Sequence, residues 1–512
     1  MTHVFRQAAA TPDRPAIIMS GSGRTVTFGE LEDASNRAAQ ALRALGLRPG
    51  DHMAILMENR PEFMELAVAA LRAGVYFTAV SRYLSAEEAA YIVKDCGAKA
   101  FVTSKPYAEV GGAAARAAGP GCRSFMLDGE NADLASWEAL RDSQPAERIE
   151  DETKGSLMLY SSGTTGRPKG IKRPYVEEPI DGANPLMELI CLKMGGMTEG
   201  DVYLSPAPLY HAAPLAATLV SLYHGATAVI MERFDPEGFL RDVERFRVSH
   251  AQLVPTMFVR MLKLPDPARA AHDVSSLRCA IHAAAPCPVE VKRAMIDWWG
   301  PILLEYYAGT EANGVALCDS HEWLAHPGTV GKSRVGPVRI IDETGEELPQ
   351  GETGAVYFEG GQDFEYHNDA AKTAGAYHPK GWSTLGDIGY LDVDGYLHLT
   401  DRRAYTIITG GVNVYPQETE DRLILHPEVL DAAVFGVPDE DLGEAVKAVV
   451  QPRDPARIGE DLAEELAEWC REGLSRIKCP RSIDFREALP RTETGKLLKR
   501  KLKDEYWAAA GR

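Results

Sequence analysis

Short apolar runs and amphipathic stretches alternate along the first two thirds of the chain. Phe63, Leu66, Ala67, Ala70 and Leu71 recur at the spacing of one helix face. Between such helical stretches, short apolar runs end in Pro, Ser or Gly and are typical of buried strands. These runs lie at 53–58, 99–104, 156–162, 201–206, 227–231, 251–255 and 278–283. Strands that alternate with helices predict an α/β fold with mostly parallel sheets.

The pattern changes after about residue 330. Turn residues at 343–345, 349–354 and 394–395 separate short alternating runs and predict β-hairpins. A compact set of elements follows: an apolar strand at 406–409, a Gly-Gly turn, a helix from about Gln417, two strands and a further helix. Because these elements can form a core of their own, we place a domain boundary between Thr400 and Asp401. The predicted domains are 1–400 and 401–512.

Composition excludes several classes of protein. Of the 512 residues, 45% are hydrophobic and 25% are charged, which is an ordinary globular balance. The net charge of −19 argues against a protein that covers nucleic acid or an anionic membrane with its whole surface. There is no apolar run of 18 residues and no signal-peptide core, so we expect a cytoplasmic protein without a membrane span. The eight cysteines contain no CxxC pair, and we expect free thiols.

The strongest chemical signal follows the apolar run at 156–162. Four hydroxyl side chains, three glycines and a lysine lie within ten residues, 161–170. Glycines allow backbone N–H groups to approach phosphate oxygens, hydroxyls donate hydrogen bonds, and lysine supplies charge. The spacing differs from that of a Walker A loop. The residues predicted to cradle phosphate are Ser161, Ser162, Gly163, Thr164, Thr165, Gly166 and Lys169.

With this loop the sequence resembles the adenylate-forming superfamily, which contains acyl-CoA synthetases, adenylation domains and firefly-type luciferases. The resemblance covers nearly the whole chain, because further motifs follow in the family's order at 305–311, 386–387, 401–403, 410–418 and 490–496. The pattern is most similar to bacterial long-chain fatty-acid–CoA ligases. The resemblance implies a large N-terminal domain of mostly parallel sheets with flanking helices and a β-barrel-like portion, followed by a small mobile α+β C-terminal domain.

The resemblance also implies a nucleotide site. Tyr307 offers an aromatic face to adenine, Ala284 lies beside it, and Asp387 accepts hydrogen bonds from the ribose hydroxyls with Arg402 nearby. Thr310 joins this nucleotide-binding set. The catalytic residues that it implies are Lys496, which reaches the α-phosphate, and Glu311 and Thr165, which hold Mg²⁺ together with the ATP phosphates.

Other positions are implied to serve the hinge, CoA and the acid. Asp401 is the expected hinge, and Gly410 and Gly411 are expected to let the CoA pantetheine pass close to the backbone. The expected acyl pocket consists of Tyr210, His211, Ala285, Ala308 and Gly309. Small side chains leave volume for a large acid. Gly309 stands where relatives more often have Ser, Thr or Met.

The function implied is ATP-dependent ligation of a carboxylic acid to CoA through an acyl-adenylate, with ATP, Mg²⁺ and CoA bound. The expected acid is hydrophobic, either a medium- or long-chain fatty acid or a bulky aromatic or steroid-type acid. Two alternatives stay open: an adenylation enzyme that loads a carrier protein, and a non-catalytic nucleotide-binding homologue. Dimers are common among similar enzymes, so a homodimer is an expected arrangement, without a nucleic-acid partner.

Overall fold

The structure, a computed structural model, describes residues 3–161, 168–182, 184–491 and 497–509, and it describes only the backbone of Ser161 and Arg403. Each of the predicted strand segments of the N-terminal part contains a strand. All eight cysteines are free thiols, and seven of them are buried. In the described part of the chain, no helix is both long and apolar enough to cross a membrane.

Two large sheets form the N-terminal part. The first is entirely parallel, and its six strands follow the spatial order Ala135–Ser136, Arg123–Leu127, Ala100–Ser104, His52–Leu56, Tyr76–Ala79 and Ser156–Leu157. The second has nine strands, in the order Lys332–Ser333, Val315–Asp319, Leu303–Ala308, Cys279–His282, His250–Leu253, Val202–Ser205, Thr227–Ile230, Pro15–Met19 and Thr25–Thr27. Its central strands are parallel, and antiparallel strands close both edges. This confirms the predicted α/β fold with mostly parallel sheets.

Helices flank both sheets. The α-helices of this part are Val4–Ala10, Phe28–Ala44, Pro61–Arg72, Ala86–Asp95, Ala108–Ala118, Trp137–Asp142, Pro185–Glu188, Ala212–Tyr223, Pro236–Phe246, Pro255–Leu262, Asp266–Ala270, Val289–Trp299, Ser320–Ala325 and Ala370–Gly375, and Leu189–Met194 is a π-helix. The predicted amphipathic helix is Pro61–Arg72, and it buries every residue except Leu71. It is buried nearly all round because the largest apolar cluster joins it to both sheets and to helix Ala212–Tyr223.

Smaller antiparallel sheets complete the N-terminal part. One contains Val338–Ile341, Gly354–Phe358, Asp387–Leu391 and Leu397–Arg402, and the other contains Glu365–Tyr366, Lys169–Lys172 and Leu159–Ser161. The last strand of the first sheet runs two residues beyond the predicted domain boundary. Within it, Asp401 pairs with Ile388 and Arg402 pairs with Asp387. The chain therefore leaves the N-terminal sheets between Arg402 and Ile407.

The C-terminal part is an α+β unit with its own core. Its sheet follows the order Val412–Val414, Ile407–Thr409, Gly443–Pro452 and Val429–Asp439, and Ser482–Phe485 pairs with Gly443–Pro452. The helices are Pro416–Ile424, Glu460–Gly473 and Lys499–Ala509. Leu423, Val434 and Leu466 belong to an apolar cluster separate from the N-terminal clusters.

The two parts are joined by specific polar contacts. The Asp401 carboxylate accepts hydrogen bonds from the backbone N–H groups of Arg402 at 2.6 Å and of Gln417 at 3.1 Å, so it caps the first turn of helix Pro416–Ile424. The Lys263 ammonium donates to the carbonyl of Ile424 at 3.3 Å and to that of Val429. A cation at the end of a helix is favourable because the last carbonyls lack helical partners. These contacts dock the C-terminal part in the described orientation.

Candidate active site

Several predicted site residues lie at one edge of the nine-stranded sheet. Strands Val202–Ser205, His250–Leu253, Cys279–His282 and Leu303–Ala308 are parallel, so their carboxyl ends lie at the same edge. The predicted residues of segments 209–211, 284–285 and 307–311 end or follow three of these strands. The structure therefore brings together positions that lie about 100 residues apart.

The predicted ribose site is a cross-strand pair supported by a tyrosine. The Tyr307 hydroxyl donates to the Asp387 carboxylate, and Arg402 Nε lies 3.1 Å from Asp387 Oδ1. Asp387 and Arg402 are direct partners on neighbouring antiparallel strands. Burial raises the pKa of Tyr307 well above its usual value, so its hydroxyl stays protonated and keeps donating. Each carboxylate oxygen can accept more than one hydrogen bond, which leaves acceptor capacity for ribose hydroxyls.

A second buried carboxylate lies in the turn that follows this tyrosine. Glu311 is 8% exposed, and its Oε1 accepts a hydrogen bond from the Tyr366 hydroxyl at 3.0 Å. Arg173 Nη2 donates to the Thr310 carbonyl at 3.1 Å. Ala312, which follows Glu311, has a left-handed φ of 53°. This conformation is strained for alanine, and such strain often occurs at functional sites. A buried, oriented carboxylate oxygen fits a hard cation such as Mg²⁺.

Gly309 lies directly against this carboxylate. A Cβ atom built there would lie 2.6 Å from Glu311 Oε2 and 2.6 Å from a methyl carbon of Leu385. Real Cβ contacts essentially never fall below 3.0 Å. The space beside Gly309 is therefore occupied by the carboxylate and by Leu385.

The phosphate loop is bracketed by two paired strands. Ser161 and Lys169 are cross-strand partners, so the two ends of the segment between them are adjacent. The Lys169 ammonium lies 6.0 Å from the centre of the Tyr366 ring, and the Lys372 ammonium lies 4.6 Å from it. Predicted residues that lie outside the described part of the chain are Ser162, Gly163, Thr164, Thr165, Gly166 and Lys496.

The predicted acyl pocket has an apolar wall. Tyr210 and the half-buried Ala308 belong to the largest apolar cluster, together with the half-buried Ala212 and Ala213 at the start of helix Ala212–Tyr223. The His211 ring lies 4.1 Å from the Tyr210 ring. Half-buried small side chains leave part of the wall open to a ligand.

Hydrogen bonds from the buried Asn59 side chain fix the backbone at 207–209, directly before this wall. Asn59 Oδ1 accepts from the Leu209 N–H at 2.9 Å, and its Nδ2 donates to the carbonyls of Ala207 at 3.1 Å and Met231 at 2.8 Å. After strand Cys279–His282, at the same edge of the sheet, Ala284 is exposed with a left-handed φ of 77°, and Ala285 is half-buried. A second non-glycine residue with backbone strain therefore lies at the same edge of the sheet.

Polar groups lie on the sheet face beneath helix Ala212–Tyr223. Gln252 Nε2 donates to the Tyr306 hydroxyl at 2.9 Å. Gln252 Oε1 is buried and has no hydrogen-bond partner among the described residues, and the buried Tyr203 hydroxyl lies beside the Ser205 hydroxyl. Tyr203 and Tyr306 both belong to the apolar cluster of the wall. Buried polar atoms without partners carry a desolvation cost that a ligand group or a water can relieve.

A buried ion pair supports the site from the opposite face of the sheet. The Lys292 ammonium pairs with the Glu305 carboxylate, and both side chains are almost fully buried. His282 Nε2 lies 3.7 Å from the same carboxylate, and burial together with Lys292 lowers the pKa of His282 well below its usual value. The pair joins helix Val289–Trp299 to the strand that carries Tyr307. Removing either partner would leave a buried charge uncompensated.

The predicted CoA loop is a tight hairpin tip. Gly410 and Gly411 connect strands Ile407–Thr409 and Val412–Val414, and both have left-handed φ values, of 56° and 80°. Ile408 and Val412 beside them are 57% and 46% exposed. The tip is therefore open to solvent.

Motif reasoning missed Arg173, Tyr366 and Lys372. Strand Glu365–Tyr366 pairs with strand Lys169–Lys172, and this pairing brings Tyr366 to the loop. Arg173 directly follows the strand after the phosphate loop, a signal that could have found it. Tyr366 and Lys372 lie in a segment that contains none of the motifs described above.

Comparison with known proteins identifies what this arrangement is similar to. The AMP-binding enzyme family model matches residues 4–365, and the model of the AMP-binding enzyme C-terminal domain matches residues 418–496. A feruloyl-CoA synthase of an Amycolatopsis species is 33% identical over 98% of both chains. A long-chain-fatty-acid–CoA ligase of Mycobacterium tuberculosis is 31% identical over 98% of this chain and 97% of its own. The solved structure of o-succinylbenzoate CoA synthetase from Bacillus subtilis in complex with its acyl-adenylate intermediate has a TM-score of 0.80 and 28% identity, and the match covers 98% of each chain.

Proposed function

Because the chain belongs to the AMP-binding enzyme family and is an AMP-forming acid–thiol ligase, we propose that it makes CoA thioesters of bulky hydrophobic acids, above all acids that carry a ring. ATP and CoA are the co-substrates of this family's ligases. The observation that carries the proposed acid class is the wall of half-buried alanines in the apolar cluster beside Tyr210.

The first half-reaction joins the acid to AMP. A carboxylate oxygen of the acid attacks the α-phosphorus of ATP, the bond to the β-phosphate oxygen breaks, and pyrophosphate leaves. Tyr307 and Asp387 hold the nucleoside, while Lys169 and Lys496 supply positive charge to the phosphates. Glu311 and Thr165 would hold Mg²⁺, which neutralises phosphate charge when it is bound.

The second half-reaction transfers the acyl group. The CoA thiol gives up its proton, its sulfur attacks the acyl carbon, the bond from that carbon to the AMP oxygen breaks, and AMP leaves. No protein nucleophile is required. Because the tip at Gly410 and Gly411 faces solvent, we assign the approach of CoA to a rotation of the C-terminal part about Asp401.

The wall and the polar groups behind it favour a ring-bearing acid. Apolar surface at Ala212, Ala213 and Ala308 suits a hydrophobic body, since each buried methylene contributes about 0.8 kcal/mol. The unpartnered Oε1 of Gln252 suits a polar substituent at the far end of the acid. Two of the similar proteins are named for feruloyl and o-succinylbenzoate substrates, which carry aromatic rings with polar substituents.

A panel of acids tests this proposal. We expect kcat/KM for CoA-thioester formation to be highest for hydroxylated or methoxylated aryl acids, lower for octanoate and dodecanoate, and lowest for acetate. Ala308→Leu should penalise the large acids most, whereas Ala508→Leu, on an exposed helix position, should change none of them. A wild-type preference for acetate, or transfer only to a carrier-protein thiol and never to CoA, would overturn the proposal.

A further inference from the structure

Two lysine side chains approach the same aromatic ring beside the candidate active site. The Lys372 ammonium lies 4.6 Å from the centre of the Tyr366 ring, and the Lys169 ammonium lies 6.0 Å from it. The Tyr366 hydroxyl donates to Glu311 at 3.0 Å, so the ring connects this basic pair to the buried carboxylate. Lys169 belongs to the phosphate loop, whereas no motif accounts for Lys372.

The backbone holds Lys372 in this position. Asp369 caps the short helix Ala370–Gly375 by accepting from the Lys372 N–H at 3.0 Å. Tyr366 N–H donates to the Thr373 hydroxyl at 2.9 Å, so this helix is bonded to strand Glu365–Tyr366. That strand pairs with strand Lys169–Lys172. The two lysines are therefore brought together by hydrogen-bonded secondary structure and not by free side chains on a surface.

The two ammonium groups of Lys169 and Lys372 lie close together beside the ring of Tyr366. No ion pair joins Lys372 to a carboxylate in the described ranges of the chain. The Lys169 ammonium lies beside it, and the more distant Asp369 and Glu311 carboxylates offset only part of the repulsion. Burial and the adjacent Lys169 ammonium lower the pKa of Lys372 to about 8, so the charged form of Lys372 is less favourable here than in water. A bound polyanion reverses that cost, because it pairs with both ammonium groups at once.

We propose that Lys372 is a second phosphate-binding cation that, with Lys169, holds the β- and γ-phosphates of ATP and the pyrophosphate that leaves. This inference rests on the proposed ligase chemistry and adds a residue to it. The α-phosphate, which stays with the adenylate, is not contacted by Lys372. Its contribution therefore ends when pyrophosphate departs, and the thioester-forming step does not use it.

The test separates the two half-reactions. Lys372→Met removes the charge and keeps a similar length, Lys372→Arg keeps the charge, and Lys380→Met is a matched control. Lys380 is exposed and lies 5.0 Å from the centre of the Trp382 ring in the same segment. We expect Lys372→Met to raise the KM values for ATP and pyrophosphate about tenfold or more in ATP–pyrophosphate exchange. Lys372→Arg should restore most of the affinity, and Lys380→Met should behave as wild type.

Thioester formation from supplied acyl-adenylate and CoA should stay within about twofold of wild type in every variant. An equal loss in both half-reactions, or unchanged KM values for ATP and pyrophosphate, would overturn the proposal. Calorimetric titration with magnesium pyrophosphate gives an answer that does not depend on the acid. If wild type and Lys372→Met bind pyrophosphate equally, Lys372 has no role there, whereas weaker binding by the variant supports the role even if the proposed acid class is wrong.

Discussion

Gly309→Ala places a methyl group where the structure has no room for one. The new Cβ would lie 2.6 Å from Glu311 Oε2 and 2.6 Å from a Leu385 methyl carbon, so one of these side chains must move. Overpacking of this kind costs about 1–3 kcal/mol, which corresponds to a rate loss of roughly 5- to 150-fold if the carboxylate is the group that moves. Because we assign Glu311 to the phosphate end of the site, the loss should fall on adenylate formation and should be similar for every acid.

Acid-dependent pyrophosphate release measures this effect directly. The comparison uses benzoate, a methoxylated aryl acid and dodecanoate with wild type, Gly309→Ala and Gly375→Ala. Gly375 is the matched control, because a Cβ built there would meet no described atom within 4 Å outside its own turn of helix. A loss that grows with the size of the acid would refute this reasoning and would return Gly309 to the acyl pocket, where the sequence analysis placed it. Unchanged rates would show that Leu385 absorbs the methyl group.

Other substitutions test the C-terminal lysine, the Tyr366–Glu311 hydrogen bond and the buried Asp421. Lys496→Ala should slow adenylate formation by roughly 2–4 kcal/mol of transition-state energy and leave thioester formation from supplied adenylate intact, and equal losses would contradict the alternating-domain role. Tyr366→Phe removes the hydrogen bond to Glu311 and should cost about 1.5–3 kcal/mol in kcat/KM for ATP, checked by steady-state kinetics against thermal stability. Burial raises the pKa of Asp421 to about 7 in the folded protein. The protonated carboxyl therefore stabilises the fold fully below about pH 4, and this stabilisation is lost as the pH rises from 4 through 7. Melting temperatures from pH 4 to 8 should therefore fall more steeply for wild type than for Asp421→Asn, and parallel curves would contradict this.

Hydrophobic periodicity predicted the helices and strands better than it predicted which strands pair with each other. Alternating apolar and helical segments correctly predicted the α/β class and seven segments that contain strands, since these patterns are local. The order of the nine-stranded sheet is not local: strand Pro15–Met19 lies beside Thr227–Ile230, more than 200 residues away. Hydrophobic pattern alone does not select between partners of equal length and apolarity.

The candidate site shows the same division. The motifs predicted Asp387 and Arg402 separately, but only strand register shows that they are direct cross-strand partners. The backbone conformation decides which side chains lie where a Cβ of residue 309 would be. The presence of a glycine there therefore did not indicate that the Glu311 carboxylate occupies this space. Lys372 reaches the site through a strand pairing and a helix cap, which lie outside the segments that carry motifs.

The most direct test of the central claim is a crystal structure with a non-hydrolysable aryl-sulfamoyl adenosine, an analogue of the acyl-adenylate. We expect the ribose hydroxyls to lie about 3 Å from the Asp387 carboxylate. We also expect the aryl ring to lie against Tyr210, Ala212 and Ala308. An analogue bound with its ribose away from Asp387, or with its ring outside this apolar wall, would contradict the proposed site.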